Sequence, residues 1–284
     1  MELILGHNQF IGISHISEER SREREKKFSK IENIYNVVEA ASELGYKSMI
    51  METHPRMVEF FSYYNENKTF DMDFYLQVPY VAGYVKKMNE KGIMGLVSDL
   101  VSQTGFLGAG GMALKGAANF LKRDYMSLAM SVLKFEVSPF SDINIKSLLL
   151  HNVFTDLLLA LEMTDAFTEF ERYVKDDLDL DPGFITLNFP LLKNNFEKWD
   201  INPSFVMTPV NPQGYDMNPS REVVEENISN YNGKIIAMNL LGGGAFSVEE
   251  SNSYIRGFDN INHCVIGASS KEHLNELITI FNSI

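Results

Sequence analysis

Three of the six histidines, His7, His54 and His151, fall within two or three residues of the ends of short apolar runs, and so do Glu52, Gln77 and Asn188. Imidazole changes charge near neutral pH, and a carboxylate beside it can take or return a proton. His151 with Glu52 is therefore a candidate catalytic acid/base pair for work on a substrate carbonyl. His7, Asn8, His54, Gln77 and Asn152 occupy equivalent strand ends and are candidates for binding a small-molecule substrate. An alternative use of His7, Glu52, His54 and His151 is as ligands to a divalent metal, since imidazole and carboxylate suit zinc, iron or manganese. No HxH or HExxH spacing accompanies them. Taken singly, each of these residues reads as a polar group bridging loops. Their convergence is what points to a site, because buried polar groups must find partners.

The convergence depends on the elements that carry these residues. Apolar runs of strand length, rich in β-branched residues, recur at Leu3–Leu5, Lys47–Met51, Phe74–Val78, Lys146–Leu150, Phe184–Leu187, Phe205–Thr208, Ile235–Met238 and Cys264–Ile266. Helical patterns separate them. Ile31–Leu44 carries Ile34, Val38 and Ala41 on one face with Gly45 as a C-cap. Pro55 opens a helix through about Tyr64, one long helix is expected over Val153–Asp176, and Asp181-Pro182-Gly183 reads as a turn. The last helix has Leu274, Leu277, Ile278 and Phe281 in a core-facing stripe, with Ser269 or Ser270 as its cap. Eight strand–helix units without a break in composition predict one closed (β/α)8 (TIM) barrel spanning residues 1–284. A helical insertion over about 80–142 is expected between strands three and four. In that architecture the strand ends gather at one mouth.

Composition narrows the partners. The net charge of −13 argues against nucleic acid or an anionic membrane. The N-terminus lacks a signal-peptide pattern, and the apolar stretch Gly92–Leu121 is interrupted by Asp99, Gln103 and Lys115, so a soluble cytoplasmic protein is expected, with a homo-oligomer an open possibility. The single cysteine, Cys264, lies in an apolar strand and reads as a buried small hydrophobe. Ser269, Ser270 and Lys271 open the final helix, where backbone N–H groups and one cation could hold a phosphate. EERSREREKKFSK places Arg20, Arg22, Arg24, Lys26 and Lys27 after strand one, where they could clamp an anionic substrate. With Glu18, Glu19, Glu23 and Glu25 interleaved, a solvated mixed-charge helix is the stronger reading. The glycine-rich stretch Gly105–Gly116 lacks P-loop spacing and reads as a turn between apolar helices, a lid or a dimer contact.

Several segments resemble the aldo-keto reductases, (β/α)8 barrels that use NADPH. LNF at Leu187–Phe189 resembles the family's Ser-Asn-Phe after strand five, and VNP at Val210–Pro212 its Tyr-Asn-Pro after strand six. AMNLLGGGAF and VIGASSKEHLNE are similar to its strand-seven signature and its strand-eight phosphate loop. EAASELGY, METHPRMVE and LLLHN resemble its N-terminal segments. The resemblance implies NADP as cofactor, held by Asn188, Asn211, Gly242, Gly243, Gly267, Ser269, Ser270 and Lys271. It also implies a phosphorylated small molecule as ligand and His151 as the histidine of the catalytic tetrad. Glu52 stands at the tetrad's Asp, Met57 at its Tyr and Gln77 at its Lys. A thioether cannot deliver a proton, so the resemblance implies a remodelled site in place of the usual carbonyl reduction.

Overall fold

Eight parallel strands close on themselves in sequence order: β1 (Glu2–Leu5), β2 (Ser48–Glu52), β3 (Asp73–Val78), β4 (Ile145–Leu150), β5 (Asp181–Ile185), β6 (Phe205–Pro209), β7 (Ile235–Met238) and β8 (Ile261–Ile266). The computed structural model describes residues 1–14, 17–87, 89–91, 125–242 and 244–283. Parallel neighbours need a crossover, and helices supply it. They are α1 (Glu18–Lys27), α2 (Ile31–Glu43), α3 (Pro55–Glu66), α4 (Tyr125–Val137), α5 (Asn152–Ala160), α6 (Thr164–Arg172), α7 (Phe189–Trp199), α8 (Arg221–Ser229), α9 (Val248–Ile255) and α10 (Lys271–Asn282). The predicted α/β barrel is what forms.

Strand ladders set the register. Leu3 pairs with Cys264 across the β1–β8 seam that closes the barrel, and Glu52 pairs with Gln77 across β2–β3. Inside, Ile4, Ile50, Tyr75, Leu149, Ile185, Phe205, Met207 and Ile236 form one cluster, with Val265 packed against it. Alternation along each strand sends the neighbouring side chains outward onto the helices. Phe184 on β5, for example, meets Phe167 and Phe170 of α6 and Phe196 of α7. Charges close the N-terminal end: the Ser48 hydroxyl donates to Glu2, Asn144 donates to Asp73, and the Lys146 and Lys234 ammonium groups lie over the Tyr75 and Phe205 rings.

Two local expectations are corrected. Asp181-Pro182-Gly183 is not a turn but the start of β5, where proline is tolerated at the first positions of a strand. Gly183 is needed there because a Cβ would collide with the Leu149 side chain. The long helix after β4 is broken into α5 and α6 at Glu162, which takes a left-handed φ of 51°, and a π-type turn follows over Tyr173–Asp177. The charge-dense segment after β1 does fold as a helix, α1, capped by the Ser17 hydroxyl accepting from the Arg20 N–H.

The chain forms two compact units, 1–77 with 143–284 and 78–142. The barrel belongs to the first. In the second, residues 81–87 are helical, α4 runs over Tyr125–Val137, and the buried Glu136 carboxylate accepts from the Tyr80 N–H at 3.0 Å. The glycine-rich stretch Gly105–Gly116 lies outside the described residues. No helix among the described residues is long and apolar enough to cross a membrane.

Candidate active site

The C-terminal mouth of the barrel holds a cavity of about 460 Å³, a size suited to a small molecule. Its floor is the top of the core, Ile50, Ile185, Met207, Met238 and Val265, and its polar wall includes His7, Asn8, Glu52, Gln77, His151 and Asn152. Six of the seven predicted catalytic and substrate-binding residues therefore share one cavity. The seventh, His54, is not among the lining residues.

Each side chain is placed by a local cause. His7 follows β1 and precedes a short 3-10 turn over Asn8–Ile11, and the residue is 95% buried. Its Nε2 lies 3.8 Å from Glu52 Oε1, too long for a hydrogen bond, and has no hydrogen-bond partner among the described residues. Glu52 is the last residue of β2 and is also buried. His151 and His54 are both helix N-caps: His151 Nδ1 accepts from the Val153 N–H at 3.2 Å, and His54 Nδ1 from the Arg56 N–H at 2.9 Å. Because Nδ1 is the acceptor, the proton of each neutral imidazole sits on Nε2. His151 thus presents an N–H donor at the cavity.

Electrostatics reinforce that state. Burial lowers the His151 pKa below its ordinary value; the Glu52 charge raises it and His7 opposes, without reversing the direction. His54 is lowered for the same first reason, with Glu52 again acting upward. At the other end of the barrel, burial also lowers His263. A base whose native pKa is depressed contributes stability that is complete above its unfolded value, 6.5, and is lost as pH falls through the native value. Chemical denaturation should therefore show stability falling from neutral pH toward pH ~5. A flat or rising profile over that window would contradict this account of the three histidines.

The residues that the resemblance assigned to a cofactor are mostly engaged elsewhere. Asn188 caps α7, its Oδ1 accepting from the Leu191 N–H at 3.2 Å. Asn211 is fully buried and grips its own loop, donating to the Tyr215 carbonyl and accepting from the Tyr215 N–H, both at 2.8 Å. Gly242 turns at φ 51° beside Leu241, and Gly243 lies outside the described residues. Ser270 caps α10 by accepting from the His273 N–H, Ser269 precedes it, and Lys271 pairs with Glu43 of α2 at 2.6 Å. Of those described, Gly267 alone lines the cavity.

Gln9, which no sequence pattern singled out, explains the wall beside Gly267. Its buried amide donates to the Gly6 carbonyl at 2.6 Å and to the Ala268 carbonyl at 2.9 Å, tying the ends of β1 and β8 together. A Cβ at Gly267 would meet Gln9 Oε1 at 2.7 Å. Asp216 and Asn239, also missed, both take left-handed backbone (φ 61° and 56°) and face each other, Asn239 Nδ2 donating to Asp216 Oδ2 at 2.9 Å. Both line the cavity. For Asp216 the density of Asn, Gly and Pro after β6 was the available signal, and for Asn239 its place directly after β7.

The alternative metal set, His7, Glu52, His54 and His151, does not form. No group of three or more His, Cys, Asp or Glu among the described residues could hold a metal ion. The cap bonds explain part of this, since Nδ1 of His54 and of His151 is already occupied. Cys264 is buried, and burial pushes its thiol up to about 12, as expected of an inert core residue.

No protein-family model matches this sequence, and no curated protein matches it. Solved structures do. One described as an aldo-keto reductase from Pseudomonas aeruginosa superposes with a TM-score of 0.56 at 11% identity, over 98% of this chain and 88% of that one. The fold is that of the aldo-keto reductases. A Brucella melitensis aldo/keto reductase gives a TM-score of 0.52 at 11% identity, over 99% of this chain and 87% of that one. A structure described as a 2,5-diketo-D-gluconic acid reductase B gives 0.54 at 9% identity, over 99% and 82%. In this aldo-keto-reductase-like barrel Met57 is fully buried on α3, away from the cavity lining, and Gln77 lines the cavity as a neutral amide.

Proposed function

We propose that this aldo-keto-reductase-like barrel is a small-molecule enzyme that acts on a carbonyl compound by proton transfer at the mouth of the barrel. One observation carries the reading. A buried carboxylate, Glu52, faces an unpartnered imidazole nitrogen, His7 Nε2, in the same cavity that His151 lines as a neutral donor. His151 Nε2–H would hydrogen-bond the carbonyl oxygen and so acidify the adjacent C–H. Glu52 would take that proton and return it, and His7 would stabilise the carboxylate while it is charged. Gln77 and Asn152 would orient the substrate, and the apolar floor would keep water from the reacting carbon.

The residues present fit NADP poorly. Asn211 has both amide atoms committed to Tyr215, Gln9 fills the space against Gly267, and Lys271 is paired on the outer surface. As they stand, these residues do not form a nicotinamide cradle, and no step above is routed through one. The likeness to solved aldo-keto reductases favours a second reading, a nicotinamide-dependent oxidoreductase at the same cavity.

A panel of small aldehydes and ketones incubated with the protein in D2O separates the two readings. Deuterium entering the α-position without NADPH is the expected result. NADPH consumption without such exchange would move the second reading to first place. Neither signal from any member of a broad panel would end both.

A further inference from the structure

We infer that the carbonyl compound bound at this mouth is an anion, and that Arg24 holds its carboxylate or phosphate group. The inference rests on the proton-transfer reading and names the substrate class for it. Arg24 belongs to α1, a helix whose surface is otherwise given to solvent: only Ser21, Arg24 and Phe28 of the segment Ser17–Phe28 are not exposed. These three share one face, at i, i+3 and i+7. Phe28 at its end is buried edge-on against Phe10 at 5.0 Å, and the Ser21 hydroxyl accepts from the Ser14 N–H at 3.1 Å. The facing segment, Asn8–Ser14, turns at Gly12, where φ is 78° and a Cβ would come within 3.4 Å of Glu25 Cβ.

This packing fixes Arg24 at the cavity wall with Ile13 and Ser14. One guanidinium nitrogen, Nη1, donates to the Ile13 carbonyl at 2.7 Å, which orients the plane. No carboxylate among the described residues pairs with it, whereas Arg22 on the same helix pairs with Glu18. The two carboxylates of the cavity face other groups, Glu52 opposite His7 and Asp216 under the Asn239 amide. Burial and the neighbouring Arg20 both work against the Arg24 charge. A partly desolvated guanidinium with one carbonyl acceptor has donors left over in the planar fork that matches carboxylate and phosphate oxygens. The unpartnered, buried His7 Nε2 in the same cavity independently points to a ligand with a hydrogen-bonding oxygen. A carbonyl compound with an anionic end would satisfy both.

The test uses twins that differ only in the anion: pyruvate against methyl pyruvate, and dihydroxyacetone phosphate against dihydroxyacetone. Binding is read from the side-chain shifts of 15N-labelled histidines in the intact protein. At least one anionic twin should bind the wild type about tenfold or more tighter than its neutral partner, and the pair that does so identifies the anion. Arg24→Gln should remove that preference and leave the neutral affinity unchanged, with Arg24→Lys restoring part of it. Arg22→Gln, on the solvent side of α1, should change nothing. Equal affinities for both twins in the wild type, or equal loss of both in Arg24→Gln, would overturn the assignment while leaving the cavity reading intact. If no twin moves any histidine signal, the proton-transfer reading falls with it.

Discussion

Glu52→Gln should lower kcat by about 10²–10⁴-fold on whichever carbonyl compound the exchange screen identifies, the range expected for loss of a positioned general base. The carboxamide has the same shape, keeps the place at the end of β2 and can still accept a hydrogen bond, but it cannot take a proton at neutral pH. Circular dichroism and the denaturation midpoint should therefore change little. The same variant removes the charge that raises the His151 and His54 pKa values, so both histidines should titrate at lower pH than in the wild type, as read by NMR. His151→Asn is the matching probe of the donor, because asparagine retains a helix-capping oxygen for the Val153 N–H and loses the Nε2–H. Full activity in Glu52→Gln would remove the carboxylate from the chemistry.

Phe184→Ala should cost about 3–5 kcal/mol of folding stability, near the top of the range for a single core substitution. Phe184 is fully buried on the outer face of β5, with ring centroids 5.5, 5.4 and 5.0 Å from Phe167, Phe170 and Phe196. The helices behind it are held by the same rings, so the space left cannot close without moving α6 and α7, and the lost contacts are not recovered. Phe184→Leu should cost less, because part of the volume is retained. Urea denaturation with an unchanged m-value checks both variants. A loss under ~1 kcal/mol for the alanine variant would mean that the helices collapse onto the strand freely.

The barrel was legible because its signals are local and repeated. Each strand is an apolar run, each helix carries its own stripe, and closing the sheet turns eight strand ends into one mouth whatever the loops do. That geometry is why the order of residues alone places His7, Glu52, Gln77 and His151 together. What the sequence could not convey lies in contacts between distant segments. Gln9 reaches the carbonyl of Ala268, 259 residues away, and nothing in a short NQFI turn announces it. Arg24 differs from Arg20 and Arg22 only in the face of α1 that it occupies, and that face is chosen by Phe28 packing on Phe10. Asn188 and Asn211 stand at strand ends as expected, but their amides are engaged by neighbouring backbone. The break at Glu162 carries neither glycine nor proline, so periodicity runs through it.

The capping of α5 by His151 has a consequence for how this protein would meet acid. A second proton on that imidazole must land on Nδ1, the atom that accepts from Val153, so it cannot arrive without breaking the cap bond to the Val153 N–H. His54 stands in the same relation to α3. The ionisation that would change the site's donor and the loss of the helix cap are thus one thermodynamic event. Hydrogen exchange at the Val153 and Arg56 amides should therefore quicken as these histidines take up their protons.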